Sequence, residues 1–299
     1  MEIWYSFIDR RHKHIVLDFY LTLINKYENN RMLTFAFYTN KMIKLNYKII
    51  GEGQPVIILH GLFGMMDNWQ SFGKGLAKHE YKIFLPDLRD HGRSPFTQTF
   101  NYHVLAEDLR HFMDDQFIDQ AIFIGHSMGG KAAMRLALDH AERVTKLVVV
   151  DIASKAYNGG HEPIFQALSG IEVNKADDRN EVYTYLKNKL GEEEATIQFL
   201  MKNLSRKIEG GFEWKMNYRL LQKNYEHILE AITSTHSTDV PTLFVRGGMS
   251  HYVENSDWEA IAKLFTNVRL STIADAGHWI HAEKGEELLQ VVLDFLLQE

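Results

Sequence analysis

The sequence predicts an α/β fold in which a mostly parallel sheet carries helices on both faces and a helical cap is inserted between two strands. Three observations lead there. Short runs of continuous apolar character alternate with helical stretches, clearest at Pro55-Val56-Ile57-Ile58-Leu59, Ala121-Ile122-Phe123-Ile124 and Lys146-Leu147-Val148-Val149-Val150. Strands that lack in–out alternation are strands covered on both faces. The alternation stops near Ser154, leaves only helical periodicity as far as His236, and resumes at Pro241-Thr242-Leu243-Phe244-Val245. So long a connection without structure of its own is improbable, and residues 154–236 are expected to form the cap on a core of residues 42–153 and 237–299. Third, Gly- and Pro-punctuated loops follow the apolar runs, at the strand ends where open parallel sheets gather functional groups.

In order, Ile43-Lys44-Leu45-Asn46-Tyr47-Lys48-Ile49 alternates like a half-exposed edge strand, and Gly51-Glu52-Gly53 is a turn. The Pro55–Leu59 strand ends at His60-Gly61-Leu62-Phe63-Gly64. A helix from about Asp67 to His79 and a strand at Tyr81–Leu85 follow, then the loop Pro86-Asp87-Leu88-Arg89-Asp90-His91-Gly92-Arg93-Ser94-Pro95. A helix over 104–117 leads to the Ala121 strand, and Lys131–Glu142, rich in Ala, Leu and Met, reads as another helix. The last part offers a helix near 255–265, a strand at Val268–Ile273, the loop Ala274-Asp275-Ala276-Gly277-His278-Trp279 and an amphipathic helix from Glu283 to Leu297.

The first 41 residues stand apart. Asp18 interrupts the apolar run after Arg10-Arg11-His12-Lys13-His14, no small-residue cleavage site follows, and Glu2, Asp9 and Asp18 oppose an import signal. They are expected to be an extension from an upstream start, with Met42 opening the domain; Met32–Tyr38 is available to pair with the first edge strand if the extension folds.

At 299 residues the chain has room for one large domain with an insertion, or for two ordinary ones. Its 45% hydrophobic and 24% charged content is that of a globular protein. The net charge of −6 is mild, no basic run suggests a nucleic-acid surface, and no stretch approaches the roughly 20 apolar residues of a membrane span. The absence of cysteine removes disulfides, thiol nucleophiles and thiolate metal sites, and fits a reducing, cytoplasmic compartment.

Gly125-His126-Ser127-Met128-Gly129 lies between an apolar strand and a helix, the setting of a strained G-x-S-x-G turn that exposes a nucleophilic serine. The glycines let strand and helix approach closely, and the helix aims free N–H groups at the reacting atom. Gly-rich turns of this kind also bind phosphates or merely connect elements. A serine needs an oriented base. Among fifteen histidines, His278 has the right position, after the last strand, whereas His281 is assigned to the next helix; the pair lacks a third metal ligand. The acid is expected at Asp151, at the end of a very apolar strand, ahead of Asp257 and Asp275. The loop after the Thr242 strand, Arg246-Gly247-Gly248-Met249-Ser250, carries a serine where such triads commonly place a carboxylate. Backbone N–H groups of Leu62 and Met128 are the expected oxyanion donors. Phe63, Met65, Met66 and His126 are expected to line the pocket, and Asp87, Arg89 and Asp90 to form a loop-fixing ion network.

These motifs, with Asp67-Asn68-Trp69 and Ala276-Gly277-His278-Trp279-Ile280-His281-Ala282-Glu283-Lys284, resemble the α/β-hydrolase superfamily. Within it they look most like the YbfF-type esterases and abhydrolase domain-containing protein 11, from about Met42 to the C-terminus. The resemblance implies a cofactor-free serine hydrolase of acyl esters or thioesters, with its acid at Asp151. C–C bond hydrolysis, perhydrolysis and a ligand-binding scaffold of low turnover remain open alternatives.

Overall fold

The computed structural model describes residues 43–191 and 193–298. The expected extension over 1–41, with its proposed hairpin at Met32–Tyr38, lies outside them. Seven strands form one sheet: β1 (Tyr47–Ile50), β2 (Gln54–Leu59), β3 (Tyr81–Pro86), β4 (Ala121–His126), β5 (Val144–Val150), β8 (Thr242–Gly247) and β9 (Val268–Ile273). Their spatial order is β1-β3-β2-β4-β5-β8-β9, with β1 antiparallel at one edge and every other pairing parallel. The edge strand starts later than its alternation suggests. Asn46 is diverted: its N–H donates to Ser94 Oγ at 2.8 Å and its carbonyl accepts from Asp87 N–H at 2.8 Å, which ties this stretch to the loop after β3.

The pleat divides the central strands between two cores. Ile57, Leu59, Phe123, Leu147 and Val149 face one side, while Val56, Ile58, Ile122, Ile124, Val148 and Val150 face the other. The first side is covered by α2 (Tyr102–Asp115), α3 (Met128–Asp139) and α9 (Trp258–Leu264). The second is covered by α1 (Gln70–Leu76), α10 (Ile280–Glu283) and α11 (Gly285–Leu296). Double coverage explains why these strands read as unbroken apolar runs.

Between Val150 and Thr242 the chain leaves the sheet. It forms α4 (Glu162–Ser169), α5 (Arg179–Leu190), α6 (Glu194–Met201), the hairpin β6 (Leu204–Arg206) and β7 (Phe212–Trp214), then α7 (Tyr218–Lys223) and α8 (Tyr225–Leu229). The hairpin corrects the expectation of helical periodicity alone. Its strands are three residues each, too short for an alternating pattern to register, although Phe212 and Trp214 are buried and Glu213 between them is exposed. Helix α3 grips both ends of this insertion: Lys131 Nζ donates to the carbonyls of Lys155 at 2.8 Å and Glu230 at 2.5 Å. Burial lowers the Lys131 pKa to about 7, and the ammonium also lies 4.7 Å from the centre of the Tyr157 ring. No helix among the described residues is long and apolar enough to cross a membrane.

The junction of β4 and α3 sets the tightest packing. A Cβ on Gly125 would stand 2.4 Å from the Gly129 carbonyl oxygen, and one on Gly129 would stand 2.5 Å from that of His60. Both obstacles are backbone and cannot rotate away. Gly129→Ala is therefore expected to destabilise the fold by about 1–3 kcal/mol, the usual range for overpacking, as read from urea denaturation midpoints; a cost below about 0.5 kcal/mol would contradict this geometry.

Candidate active site

Three strand ends converge at one edge of the sheet. Hydrogen bonding continues one step past the strands: Ser127 N–H donates to Val150 O at 3.0 Å and Asp151 N–H to Val245 O at 2.8 Å. Ser127 and Asp151 therefore begin neighbouring loops. Ser127 has φ 52° and ψ −121°, and Asp151 has φ 49°, values that non-glycine residues keep only where their surroundings fix them.

The structure brings Asp151 and His278 together. His278 Nδ1 donates to Asp151 Oδ2 at 2.8 Å, which assigns the proton to Nδ1 and leaves Nε2 as the second ring nitrogen. Asp151 is fully buried. Its Oδ1 accepts from Gly247 N–H at 2.9 Å, and its Oδ2 accepts also from the Ser250 hydroxyl. Sequence reasoning left Ser250 without a role. Its signal was the position after β8, where a carboxylate is commonly found; here the hydroxyl serves a carboxylate that arrives from β5. Asp257, an alternative acid, is occupied by Lys155 at 2.8 Å, and Asp275 is exposed.

The His278 ring is held on two sides. Tyr252 stacks on it with 3.8 Å between centroids and 16° between planes, and His126 lies 4.7 Å away. His126 Nε2 donates to the His278 carbonyl at 2.9 Å. Gly277 N–H donates to Glu283 Oε2 at 2.6 Å, tying the loop to α10. The His281 ring stacks on Trp69 at 4.4 Å. No group of three or more metal-ligating side chains exists among the described residues.

Ser127, His278, Leu62, Phe63 and His126 share the wall of a cavity of about 530 Å³. Ile164, Leu190 and Phe199 from the insertion, with Trp279, add apolar surface. The backbone N–H groups of Leu62 and Met128 have no acceptor among the described residues. A Cβ on Gly61 would stand 3.0 Å from His126 Nδ1 and 3.3 Å from Ser127 Cβ, so only glycine brings this loop so near the serine. Met65 and Met66 are not on the cavity wall. The chain reverses at Phe63 and Gly64 and enters a 3-10 turn at Met66–Trp69, which carries Met65 into the interior and packs Met66 against the opposite core.

The loop after β3 also differs from expectation. Asp87, Arg89 and Asp90 do not pair with one another. Asp87 accepts from Met66 N–H at 2.8 Å and Arg93 N–H at 2.9 Å. Arg89 forms a two-pronged bond to Asp108, and Asp90 accepts from Thr97 and from Asn217 of the insertion. Each polar group is satisfied by the segment it fixes, so no shared network is required.

A family model describing the alpha/beta hydrolase fold matches residues 54–169 and 151–285. The chain belongs to this family. It is 38% identical over 248 residues to esterase YbfF of Escherichia coli strain K12, covering 82% of this hydrolase and 94% of the relative. It is 32% identical over 268 residues to the sn-1-specific diacylglycerol lipase ABHD11 of Danio rerio, covering 86% and 84%. A solved structure described as a marine microorganism esterase superposes with a TM-score of 0.82 at 38% identity, over 85% of this hydrolase and 99% of that chain.

Five histidines around this edge are held neutral. Burial lowers the pKa of His60 to about 4, His91 to about 3, and His161 and His281 to about 4, and moves that of His126 well below its ordinary value. An unfolded chain regains values near 6.5. Between those limits the unfolded state binds more protons than the folded one, so stability is greatest above pH 6.5 and falls as pH drops toward 4. Urea midpoints are expected to decline from pH 7 to pH 5, before most carboxylates titrate, and His91→Gln should flatten the decline. A midpoint constant over that interval would contradict the burial of these rings in neutral form.

Proposed function

We propose that this hydrolase cleaves acyl esters or thioesters through a Ser127 acyl-enzyme. The observation that carries the reading is the Asp151–His278 hydrogen bond set beside a strained serine on one cavity wall. In this reading His278 Nε2 takes the Ser127 proton as Oγ attacks the acyl carbonyl, then delivers it to the departing alcohol or thiol. Asp151 fixes the Nδ1–H tautomer and stabilises the imidazolium. Leu62 and Met128 N–H groups receive the oxyanion, helped by the N-terminal end of α3. Water, activated by the same imidazole, releases the acid.

The insertion acts as a cap, and its Ile164, Leu190 and Phe199 form an apolar wall with Phe63. A cavity of about 530 Å³ suits small to medium apolar acyl groups, within the usual range for small-molecule sites. Esterase and lipase relatives support the same class. A cysteine-free composition supports a reducing, cytoplasmic setting.

Release of p-nitrophenol from p-nitrophenyl butyrate tests the mechanism. Ser127→Ala is expected to lose roughly 10⁴-fold or more in kcat, and Asp151→Asn on the order of 10⁴-fold, because the amide no longer fixes the productive tautomer. Asp257→Asn should stay within about two-fold of wild type. Turnover that persists in Ser127→Ala would overturn the serine mechanism; full activity in Asp151→Asn would reassign the acid. Across an acyl series, butyryl to octanoyl esters should be turned over faster than the palmitoyl ester.

A further inference from the structure

One buried side chain of the insertion reaches the loop that follows β2. Asn203, immediately before β6, has no exposed surface, and its Nδ2 donates to the Phe63 carbonyl at 2.7 Å. Its own backbone is fixed within the insertion, by Leu200 O at 2.9 Å and by Lys215 N–H at 2.8 Å. Phe63 is held at every other point as well. Its N–H donates to His91 Nε2 at 3.2 Å, and its ring meets Phe165 edge-on at 5.1 Å and His161 at 5.9 Å. Phe63 also sits at φ 59°, a conformation that a bulky non-glycine residue keeps only under such constraint. The amide is held by the core; the carbonyl and the ring are held by the insertion.

The chemistry of Asn203 is uneconomical for stability alone. Its Oδ1 is buried with no protein hydrogen-bond partner among the described residues, a condition uncommon in native interiors. A flipped amide would set two carbonyl oxygens against each other, which assigns Nδ2 to the Phe63 side. An apolar residue of the same shape would avoid the unpaired oxygen, yet would release the Phe63 carbonyl.

We propose that Asn203 is a positioning residue through which the docked insertion fixes the Phe63 backbone and so aims the adjacent Leu62 N–H at the oxyanion. This rests on the serine-hydrolase reading and on Leu62 as oxyanion donor. The insertion then completes the site as well as covering it: lifting it withdraws the clamps on the Phe63 carbonyl and ring, and the oxyanion donor loses its aim. Catalytic competence is tied to closure.

The test compares Asn203→Leu and Asn203→Ser with wild type, Ser127→Ala and Arg135→Met. Asn203→Leu keeps shape without a donor, and the serine side chain is too short to reach Phe63 O, so either variant decides if the other does not fold. Arg135→Met removes a different core–insertion hydrogen bond, Arg135 to Thr233 O at 2.7 Å, away from the Phe63 loop. Active sites are counted with a fluorophosphonate, kcat and KM are measured on p-nitrophenyl butyrate, and binding of butylboronic acid, which forms a tetrahedral adduct on the serine, is titrated. The Asn203 variants are expected to lose about 10–100-fold in kcat per active site, less than outright removal of an oxyanion donor. KM should stay within about two-fold, and boronate affinity should weaken by a factor close to that of kcat. Arg135→Met should lower thermal stability with kcat unchanged. If the Asn203 variants lose stability alone, or lose kcat no more than Arg135→Met, the positioning role is wrong. Turnover independent of Ser127 would instead remove the underlying mechanism, so the two failures are distinguishable.

Discussion

A carboxylate removed from water constrains everything else at the sheet's edge. Asp151 is wholly buried, and leaving such a group unpaired would be costly. Its two oxygens take three donors, from β8 (Gly247 N–H), the loop after β8 (Ser250 Oγ) and the loop after β9 (His278 Nδ1). Those donors arrive only if β5, β8 and β9 lie side by side in register. Sheet order and site geometry are thus one requirement. Gly247 illustrates the link, since a Cβ there would stand 2.4 Å from the Gly277 carbonyl oxygen and push the histidine loop away.

Neutral histidines form the second level of the same design. Leu88 N–H donates to His60 Nε2 at 3.0 Å, so His60 Nδ1–H must donate to Gly61 O. Phe63 N–H donates to His91 Nε2, so His91 Nδ1–H must donate to Arg89 O. In each ring one nitrogen accepts and the other donates, and protonation would turn the acceptor into a second donor facing an N–H. Burial that disfavours the charged form therefore preserves the loop after β2. The same residues link that loop to the one after β3, which explains why two sequence motifs far from the serine belong to one site.

How legible all this was depends on the range of the interaction. Strands β2, β4, β5 and β8 were readable because burial on both faces writes an unbroken apolar run. Ser127, Asp151 and His278 were placed at strand ends by the same patterns. What escaped was decided by contacts between distant segments. Ser250 acquires its partner from 99 residues away and Asn203 from 140 residues away, and neither carries a local pattern. Met65 and Met66 were misplaced for a related reason: their apolar character says that they are buried, while the reversal at Phe63 decides on which side. The β6–β7 hairpin was missed because three-residue strands hold too little alternation to register against helical periodicity.

Backbone strain gives these threads a common cause. Phe63, Ser127 and Asp151, each at a positive φ, follow β2, β4 and β5, which are adjacent in the sheet. A strand that simply continued would keep alternating its side chains between the two faces of the sheet; each positive φ breaks that alternation and turns the chain off the sheet at its carboxyl end. Each is secured from a different quarter. Ser127 has the start of α3 and the Val150 carbonyl, Asp151 has β8 and the loops beyond it, and Phe63 has His91 on one side and the insertion on the other. Only the third takes a hydrogen bond from the insertion. The local stability of the insertion therefore bears on the geometry of the loop after β2, while the hydrogen bonds of Asp151 all come from the core.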